Sequence, residues 1–359
     1  MRSAFWYDSF CLYHRQHFMS QRHEAIPTSV LTGFLGSGKT TLLNALLSHQ
    51  DLSDTAVLVN EFGEIGIDHL LVEPLEDENI VLLNAGCLCC TIRDDLVGTL
   101  SELWEKRENA SIPPFRRVII ETTGLADPAP ILHTLLSHEA VKDRYSVNGI
   151  VTTVDAVNAE LQLTENVECL KQIAVADRIV ITKPDLSSPD ALDRLRIRLS
   201  NINSSAPLFT VVQGDIDPNG LLDVGLYNLD EKDDRVEGWL RQAGEEDHAH
   251  AHDINRHDDR ISTFYLETNQ SIQIHHFIAW IENLLETHGE KLLRLKGILD
   301  IEGSDKPVIV HGVQHIFHPL TTLSTWPAGP RRSRLVLIVR DLVREPIEQS
   351  FNERVLRLP

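Results

Sequence analysis

The chain has 359 residues, 42% hydrophobic and 24% charged, and its 53 acidic side chains outnumber 33 basic ones to give a formal net charge of -20. The length favours two domains with buried cores, and the apolar fraction excludes general disorder. The acidity argues against binding of nucleic acid or of an anionic membrane surface, because both need clustered Lys and Arg. Since no apolar run approaches the roughly 18 residues of a membrane span, we expect no membrane partner either.

Four segments are predicted along the chain. Residues 1–25 are expected to form an N-terminal tail, with Met19 as an alternative start. From residue 26 to residue 228, short apolar β-rich runs alternate with helical stretches, which predicts an α/β domain with a mostly parallel sheet. Residues 229–260 are polar and predict a linker. In residues 261–359, strand-like runs follow one another without helical crossovers and predict a smaller α+β domain with an antiparallel sheet.

A phosphate-binding loop is predicted between the first strand and the first helix. Gly33-Phe-Leu-Gly-Ser-Gly-Lys-Thr40 fits the pattern G-x-x-x-x-G-K-[ST] in that structural context. The glycines allow backbone N–H groups to face phosphate, and the helix N-terminus adds its positive dipole end. We expect Lys39 to neutralise the β- and γ-phosphates and the Thr40 hydroxyl to bind Mg²⁺.

The segment RRVIIETTGLADP supplies an acidic residue, Glu121, at the end of another apolar strand. Glu121 could hold a Mg²⁺-bound water, and the backbone N–H of Gly124 could sense the γ-phosphate while its loop moves after hydrolysis. Lys39, Thr40 and Glu121 are therefore the predicted catalytic residues.

Base recognition is predicted at Thr182-Lys183-Pro184-Asp185, which follows a further strand. The Asp185 carboxylate can accept hydrogen bonds from guanine N1–H and its 2-amino group, a pair that adenine does not offer. GTP is therefore favoured over ATP. Thr182 stands where GTPases usually have Asn, which weakens the prediction of strict selectivity.

Three crowded cysteines, Cys87, Cys89 and Cys90, follow a strand and precede a helix. This spacing is typical of a metal or redox site in a reducing compartment such as the cytoplasm. Three thiolates are one ligand short of a closed tetrahedral zinc site, and such a site can release its metal. Candidates for the fourth ligand are Glu61 or Glu64, and His138.

The cysteines lie between two loops that could both respond to the γ-phosphate, so metal and nucleotide could be coupled. A second group of possible ligands, His248, His250 and His252, falls in the predicted linker. Alternate residues of an extended chain face one side, so this run is either a weak accessory metal site or an ordinary solvated linker.

A set of motifs runs along the chain, namely GFLGSGKTTLLN, NEFGEIGID, NAGCLCC, ETTGLADP, VDA at Val154 to Ala156, TKPD, LLRLKGIL and VIVHGVQHIF. This set resembles the motifs of the CobW-like P-loop GTPase metallochaperones, and especially of their YjiA-like branch. These proteins are relatives of the urease and hydrogenase nickel-insertion GTPases. The resemblance implies a P-loop GTPase domain and a smaller CobW C-terminal-like domain. It also implies Glu64 and His138 as metal ligands beside the cysteines. The nucleotide-binding positions that it implies are Gly33, Gly36, Ser37, Gly38, Lys39, Thr40, Thr41, Gly124, Thr182, Lys183 and Asp185.

Together these features predict a GTP-hydrolysing metallochaperone that uses GTP/GDP and Mg²⁺ and carries Zn²⁺, or Co²⁺ or Ni²⁺, to a client metalloprotein. The family also implies nucleotide- or metal-dependent homo-oligomers. One alternative is a metal store or sensor in which the nucleotide is a structural or regulatory ligand. Another is a nucleotide-dependent kinase with a structural thiol site.

Overall fold

The computed structural model describes residues 25–60, 81–85, 92–222, 260–327 and 329–357. The chain divides into two compact units, one over Glu24–Tyr227 and the other containing Asn228–Pro359. Among the described residues, the first unit has a parallel sheet with helical connections, and the second has an antiparallel sheet with two helices. The predicted fold class, an α/β domain followed by a smaller α+β domain, is confirmed.

The sheet of the first unit has the strand order β3-β2-β4-β1-β5-β6-β7 among the described residues, and every pairing is parallel. Four adjacent strands, β4, β1, β5 and β6, therefore end at the same edge of the sheet. The strands are β1 (Ile26–Gly33), β2 (Thr55–Asn60), β3 (Val81–Ala85), β4 (Arg117–Glu121), β5 (Tyr145–Asp155), β6 (Arg178–Thr182) and β7 (Leu208–Val211).

Helices connect these strands, as parallel pairing requires. The described helices are α1 (Lys39–Leu47), α2 (Ile92–Glu108), α3 (Ala129–Ser137), α4 (Ala159–Glu165), α5 (Val167–Ala174), α6 (Pro189–Ile202) and α7 (Pro218–Leu222).

Apolar side chains of α1 anchor the helix to the sheet. Leu42 and Leu46 are almost fully buried in one cluster with Val57, Ile119 and Val151 from three strands. Burying such side chains stabilises the fold by about 1.5 to 3 kcal/mol each. The N-terminus of α1 is thereby fixed at the carboxyl edge of the sheet, directly after β1.

The second unit contains a six-stranded sheet with the order β11-β10-β9-β13-β8, to which β12 adds by pairing with β10. Its pairings are antiparallel. Two helices cover one face, and their Trp280, Phe277 and Phe351 share a cluster with strand residues. The elements are β8 (Ile261–Thr268), α8 (Ile274–His288), β9 (Leu292–Leu299), β10 (Val308–Val313), β11 (Ile316–Phe317), β12 (Thr321–Thr322), β13 (Ser333–Arg340) and α9 (Arg344–Arg354).

One predicted strand of the second domain differs from the structure. PVIVHGVQHIF reads as a single strand, whereas the structure divides it into β10 and β11, with Gln314 at a positive φ of 52° between them. The two strands pair as a tight hairpin, with Val313 opposite Ile316. Among the described residues, no helix is long and apolar enough to cross a membrane.

Candidate functional site

The predicted nucleotide-binding residues lie at the carboxyl edge of the parallel sheet. Leu31 pairs with Glu121, Gly33 with Thr153, and Asp155 with Thr182 across adjacent strands. The strand order thus brings together the ends of β4, β1, β5 and β6, which are far apart in sequence. Ligands of open α/β sheets bind outside this edge.

The glycine-rich loop packs closely against β5. A Cβ atom at Gly33 would lie 2.3 Å from Thr153 Oγ1 and 2.5 Å from the Thr153 carbonyl oxygen, so no other residue fits without displacing the backbone. Ser37 N–H donates to the Phe34 carbonyl at 3.1 Å and closes the turn. Gly36 and Gly38 both have positive φ, and Thr41 is exposed in the first turn of α1.

Lys39 extends back across the loop that precedes it. Its Nζ donates to the carbonyl oxygens of Gly33 at 3.0 Å and Phe34 at 3.2 Å. Burial lowers the pKa of Lys39, and attraction to the Glu121 carboxylate partly offsets that shift. The ammonium group is thus held at the loop by backbone carbonyls and a nearby negative charge.

The hydroxyl of Thr40 donates to Glu121 Oε1 at 2.8 Å. Glu121 is 4% exposed. This pair places a hydroxyl and a carboxylate, both hard oxygen ligands of the kind that Mg²⁺ prefers, side by side at the N-terminus of α1. The donor set therefore fits a Mg²⁺ site.

A layer of buried hydroxyl groups lies under the loop. Ser37 Oγ and Thr153 Oγ1 are 2.7 Å apart, Thr153 Oγ1 donates to the Thr32 carbonyl at 3.3 Å, and Thr122 Oγ1 donates to Thr32 Oγ1 at 2.8 Å. These side chains are at most 1% exposed. The layer connects the loop after β4 to the phosphate-binding loop.

Thr182 and Lys183 both donate hydrogen bonds to the phosphate-binding loop. Thr182 Oγ1 donates to the Ser37 carbonyl at 2.8 Å, and Lys183 Nζ donates to the Gly36 carbonyl at 2.6 Å. Lys183 adopts a left-handed conformation with φ 54°. Asp185 is exposed in the next turn, where its carboxylate is accessible.

Asp155 was not predicted as a site residue, yet it holds Lys183 in place. The Asp155 side chain is 1% exposed, and its Oδ2 accepts from Lys183 Nζ at 2.7 Å and from Asn158 Nδ2 at 2.9 Å. Burial acts to raise the pKa of Asp155, but hydrogen bonds from Lys183, Asn158 and the Val157 amide outweigh it and hold that pKa below its usual range. The signal available in the sequence was the Asp that ends the strand GIVTTVD.

Gly124 lies directly against the phosphate-binding loop. A Cβ atom at Gly124 would lie 2.7 Å from the backbone nitrogen of Leu35 and 2.8 Å from its Cα. Its φ is not in the left-handed region, so the glycine is required by space rather than by backbone conformation. The two loops are therefore in contact.

Most of the predicted metal ligands lie outside the described residues, namely Cys87, Cys89, Cys90, Glu61, Glu64, His248, His250 and His252. His138 is exposed at the C-terminal end of α3, where its Nδ1 accepts from the Ala140 amide at 3.3 Å. Since α3 follows the carboxyl end of β4 and leads to the start of β5, His138 lies towards the opposite edge of the sheet. The part of the chain that the structure describes holds no group of three or more His, Cys, Asp or Glu side chains arranged to bind a metal.

A glycine-rich loop between a buried parallel strand and a helix, with Lys39 and Thr40 opening that helix beside the Glu121 carboxylate, defines a P-loop nucleotide-binding protein. Residues 27–210 match the family model "CobW/HypB/UreG, nucleotide-binding domain", and residues 261–355 match "Cobalamin synthesis protein cobW C-terminal domain". The chain belongs to the CobW/HypB/UreG family of P-loop GTPases.

Similar proteins cover nearly the whole chain. The zinc chaperone YjiA of Escherichia coli is 34% identical over 330 residues, spanning 91% of this chain and 98% of the relative. The zinc-regulated GTPase metalloprotein activator 1 of Schizosaccharomyces pombe is 30% identical over 321 residues, spanning 82% and 76%. The crystal structure of Zn(II)-bound YjiA GTPase from E. coli superposes with a TM-score of 0.70 at 32% identity, covering 92% of this chain and 99% of that one.

Proposed function

We propose that this GTPase is a metallochaperone that couples GTP binding and hydrolysis to the transfer of a transition metal, with Zn²⁺ as the first candidate, to a client metalloprotein. The names of two relatives support the metal, because one is called a zinc chaperone and the other a zinc-regulated metalloprotein activator. The observation that carries the GTPase part is the Lys39, Thr40 and Glu121 arrangement at the sheet edge.

In this proposal Lys39 leaves the Gly33 and Phe34 carbonyls and turns to the β- and γ-phosphates when nucleotide binds. Thr40 and Glu121 would hold Mg²⁺, which when bound neutralises charge on the phosphates. The loop amides and the N-terminus of α1 would face the β-phosphate. The segment of residues 122–127, which carries Gly124, contains no glutamine that could orient an attacking water, so slow basal turnover is expected.

Base recognition is proposed for Asp185, which is exposed. Thr182 and Lys183 would instead hold the base-reading turn to the phosphate-binding loop, since both donate to carbonyls of that loop. The preference for GTP would then rest on the Asp185 carboxylate. Replacing Asp185 with Asn should reduce GTP affinity without reducing xanthosine triphosphate affinity, whereas Thr182→Val should weaken both alike.

The metal cargo is proposed to bind at Cys87, Cys89 and Cys90, with Glu64 as the favoured further ligand. His138 is the less favoured candidate, because it lies towards the opposite edge of the sheet from the end of β3, which the cysteines follow. The resemblance to zinc-named relatives and the soft thiolate ligands support this assignment. A cytoplasmic location and nucleotide- or metal-dependent homo-oligomers belong to the same proposal. Sedimentation with and without each ligand would test the oligomers.

The coupling is tested by competitive titration of Zn²⁺, Co²⁺ and Ni²⁺ into the full chain with Mg²⁺ and either a GTP analogue or GDP. Wild type should bind one metal tightly, with an affinity that depends on the nucleotide, and Cys89→Ser should lose that binding. His138→Ala tests whether the histidine shares the site. Cys169→Ala is the matched control, because Cys169 is only 3% exposed and is expected to leave metal affinity unchanged.

Equal metal affinity with both nucleotides would contradict the coupling and favour the metal store or sensor. The absence of tight, thiol-dependent binding would contradict the chaperone function altogether. Phosphate release supplies the second readout. Wild type should turn over GTP, and Lys39→Ala should reduce that rate by at least about 100-fold, since removing one electrostatic stabiliser typically costs that much.

A further inference from the structure

Gln172 contacts the loop that carries Gly124. It belongs to α5 and is 1% exposed. Its Nε2 donates to two carbonyl oxygens of that loop, Gly124 at 3.3 Å and Ala126 at 3.0 Å. Both protons of one buried amide are thus directed at the segment that connects β4 to α3.

The backbone of Gln172 is hydrogen-bonded to the parallel sheet. Its own backbone carbonyl accepts from Thr152 Oγ1 of β5 at 2.9 Å. α5 is therefore fixed to the central part of the parallel sheet at this residue. Gln172 therefore connects β5, through its backbone carbonyl, to the loop that carries Gly124, through its side-chain amide.

The loop is fixed at its ends and held in the middle by Gln172. Thr122 N–H donates to the Leu31 carbonyl at 2.9 Å, and Asp127 Oδ1 accepts from the Ala129 amide at 3.0 Å at the start of α3. Between these points Gly124 lies against Leu35 of the phosphate-binding loop, with no space for a Cβ atom. Gly124 is thereby held between Leu35 on one side and Gln172 on the other.

The orientation of the Gln172 amide is set by its two acceptors, since a carbonyl can only accept a hydrogen bond. Its Oε1 is buried and has no hydrogen-bond partner among the described residues. A buried acceptor without a hydrogen bond lowers the free energy of unfolding. A methionine would fill a similar volume without burying such an acceptor. The two donated hydrogen bonds are therefore what the amide contributes at this position.

We infer that Gln172 is a positioning residue that sets where Gly124 stands relative to the phosphate-binding loop, and so determines how strongly the chain distinguishes GTP from GDP. The inference rests on the proposed GTPase function and on the role predicted from the sequence for Gly124, whose backbone N–H would sense the γ-phosphate. GDP has no γ-phosphate, so displacement of the loop would weaken GTP binding selectively.

The test compares Gln172→Met and Gln172→Glu with wild type in the full chain, using a fluorescent non-hydrolysable GTP analogue and fluorescent GDP. Both variants lack the amide donors. We expect affinity for the GTP analogue to fall about tenfold, affinity for GDP to stay within about twofold, and kcat for GTP to fall. Gln349→Met, an exposed glutamine of α9, is the control and should change neither affinity.

Equal losses for the two nucleotides in Gln172→Met would overturn the inference, because they would indicate a structural role only. Unchanged affinities in both variants would overturn it as well. If Gln172→Glu does not fold, Gln172→Met decides alone, as it buries no charge. A wild type without GTP turnover would refute the proposed function itself, whereas a wild type that turns over GTP beside an unchanged Gln172→Met would refute only this inference.

Discussion

The carboxyl edge of the parallel sheet and the helix-covered face of the antiparallel sheet are both buried, but by opposite kinds of side chain. At the parallel edge the buried groups are hydroxyls and carboxylates, such as Ser37, Glu121, Thr153 and Asp155. In the second unit the helix-covered face is apolar, and Trp280 Nε1 donates to Ser350 Oγ at 2.9 Å.

This difference shows two ways of using buried surface. Apolar burial contributes stability without direction, whereas buried hydrogen bonds contribute little net stability but fix distances between loops. The ends of separate strands meet at the carboxyl edge of the parallel sheet. Hydrogen bonds between polar side chains therefore connect the loops that would hold a nucleotide. The comparison predicts that polar truncations reduce nucleotide binding and apolar truncations reduce folding stability.

The largest effect is expected in the apolar core of the second unit. Trp280 is 1% exposed and contacts Phe351 edge-on, with ring centroids 5.1 Å apart. Trp280→Ala should lower the free energy of unfolding by about 3 to 5 kcal/mol, because it leaves a large cavity. Denaturant unfolding measures this loss. Ser350→Ala, which removes the hydrogen bonds of the Ser350 hydroxyl with the Trp280 indole and the Ile347 carbonyl, should cost about 1 to 2 kcal/mol. A smaller loss for Trp280→Ala than for Ser350→Ala would contradict the comparison.

The next effect concerns the ion pair between the buried Asp155 carboxylate and the partly exposed Lys183 side chain. Asp155→Asn should lower the free energy of unfolding by about 1 to 3 kcal/mol and weaken GTP binding, since Lys183 loses its carboxylate partner and keeps the Gly36 carbonyl. The pKa of Asp155 is lowered in the folded state, so its stabilisation is complete above the ordinary value of 3.8 and disappears as the pH falls below it. Urea midpoints should differ by a constant amount from pH 8 to about pH 5 and converge in more acidic solution. A difference that grows with acidity would refute this sign.

A smaller change is expected from a single methyl group at Gly124. Gly124→Ala should lower GTP-analogue affinity about tenfold, or about 1.4 kcal/mol, because the methyl group would overlap Leu35. Isothermal titration measures the affinity. Gly98→Ala is the matched control, since Gly98 lies in α2 with nothing within 4 Å of its Cβ position. That change should leave binding intact and stabilise the fold by about 0.5 to 1 kcal/mol, and a loss of binding in the control would undo the argument.

The least perturbing test uses the buried thiol. Burial raises the pKa of Cys169 to about 12 from its ordinary value of 9.0, so the thiol stays protonated in the native protein. Alkylation of Cys169 should therefore be slow between pH 7 and pH 9 and become fast only on denaturation, as mass spectrometry of the peptide would record. The stability that this thiol contributes is complete below pH 9 and is lost as the pH rises towards 12. Rapid native labelling at pH 8 would show that the helix is not packed as described.

Local patterns determine much of this protein. Alternating strands and helices predicted the parallel sheet, and the phosphate-binding motif identified its loop, because both depend on neighbouring residues. The second domain was also predictable in class, since consecutive strands without crossovers require antiparallel pairing. The prediction of a single strand at VIVHGVQHIF was wrong because only two polar residues, Gln314 and His315, separate the apolar residues of β10 and β11. The positive φ of Gln314, which marks the turn, cannot be seen in the sequence.

Tertiary structure decided which side chains meet at the site. Thr153, Asp155 and Gln172 are ordinary residues of a strand or helix in the sequence. They contact the loops because β5 lies between β1 and β6 and because α5 packs against β5. The reason that position 124 is Gly was likewise hidden, since it depends on the approach of Leu35 from another part of the chain. The sequence alone thus determined the class of fold and the place of the phosphate-binding loop, because periodicity and local backbone conformation are properties of adjacent residues. The structure decided the long-range hydrogen bonds, because the order of the strands and the packing of the helices bring residues that are distant in sequence within hydrogen-bond distance.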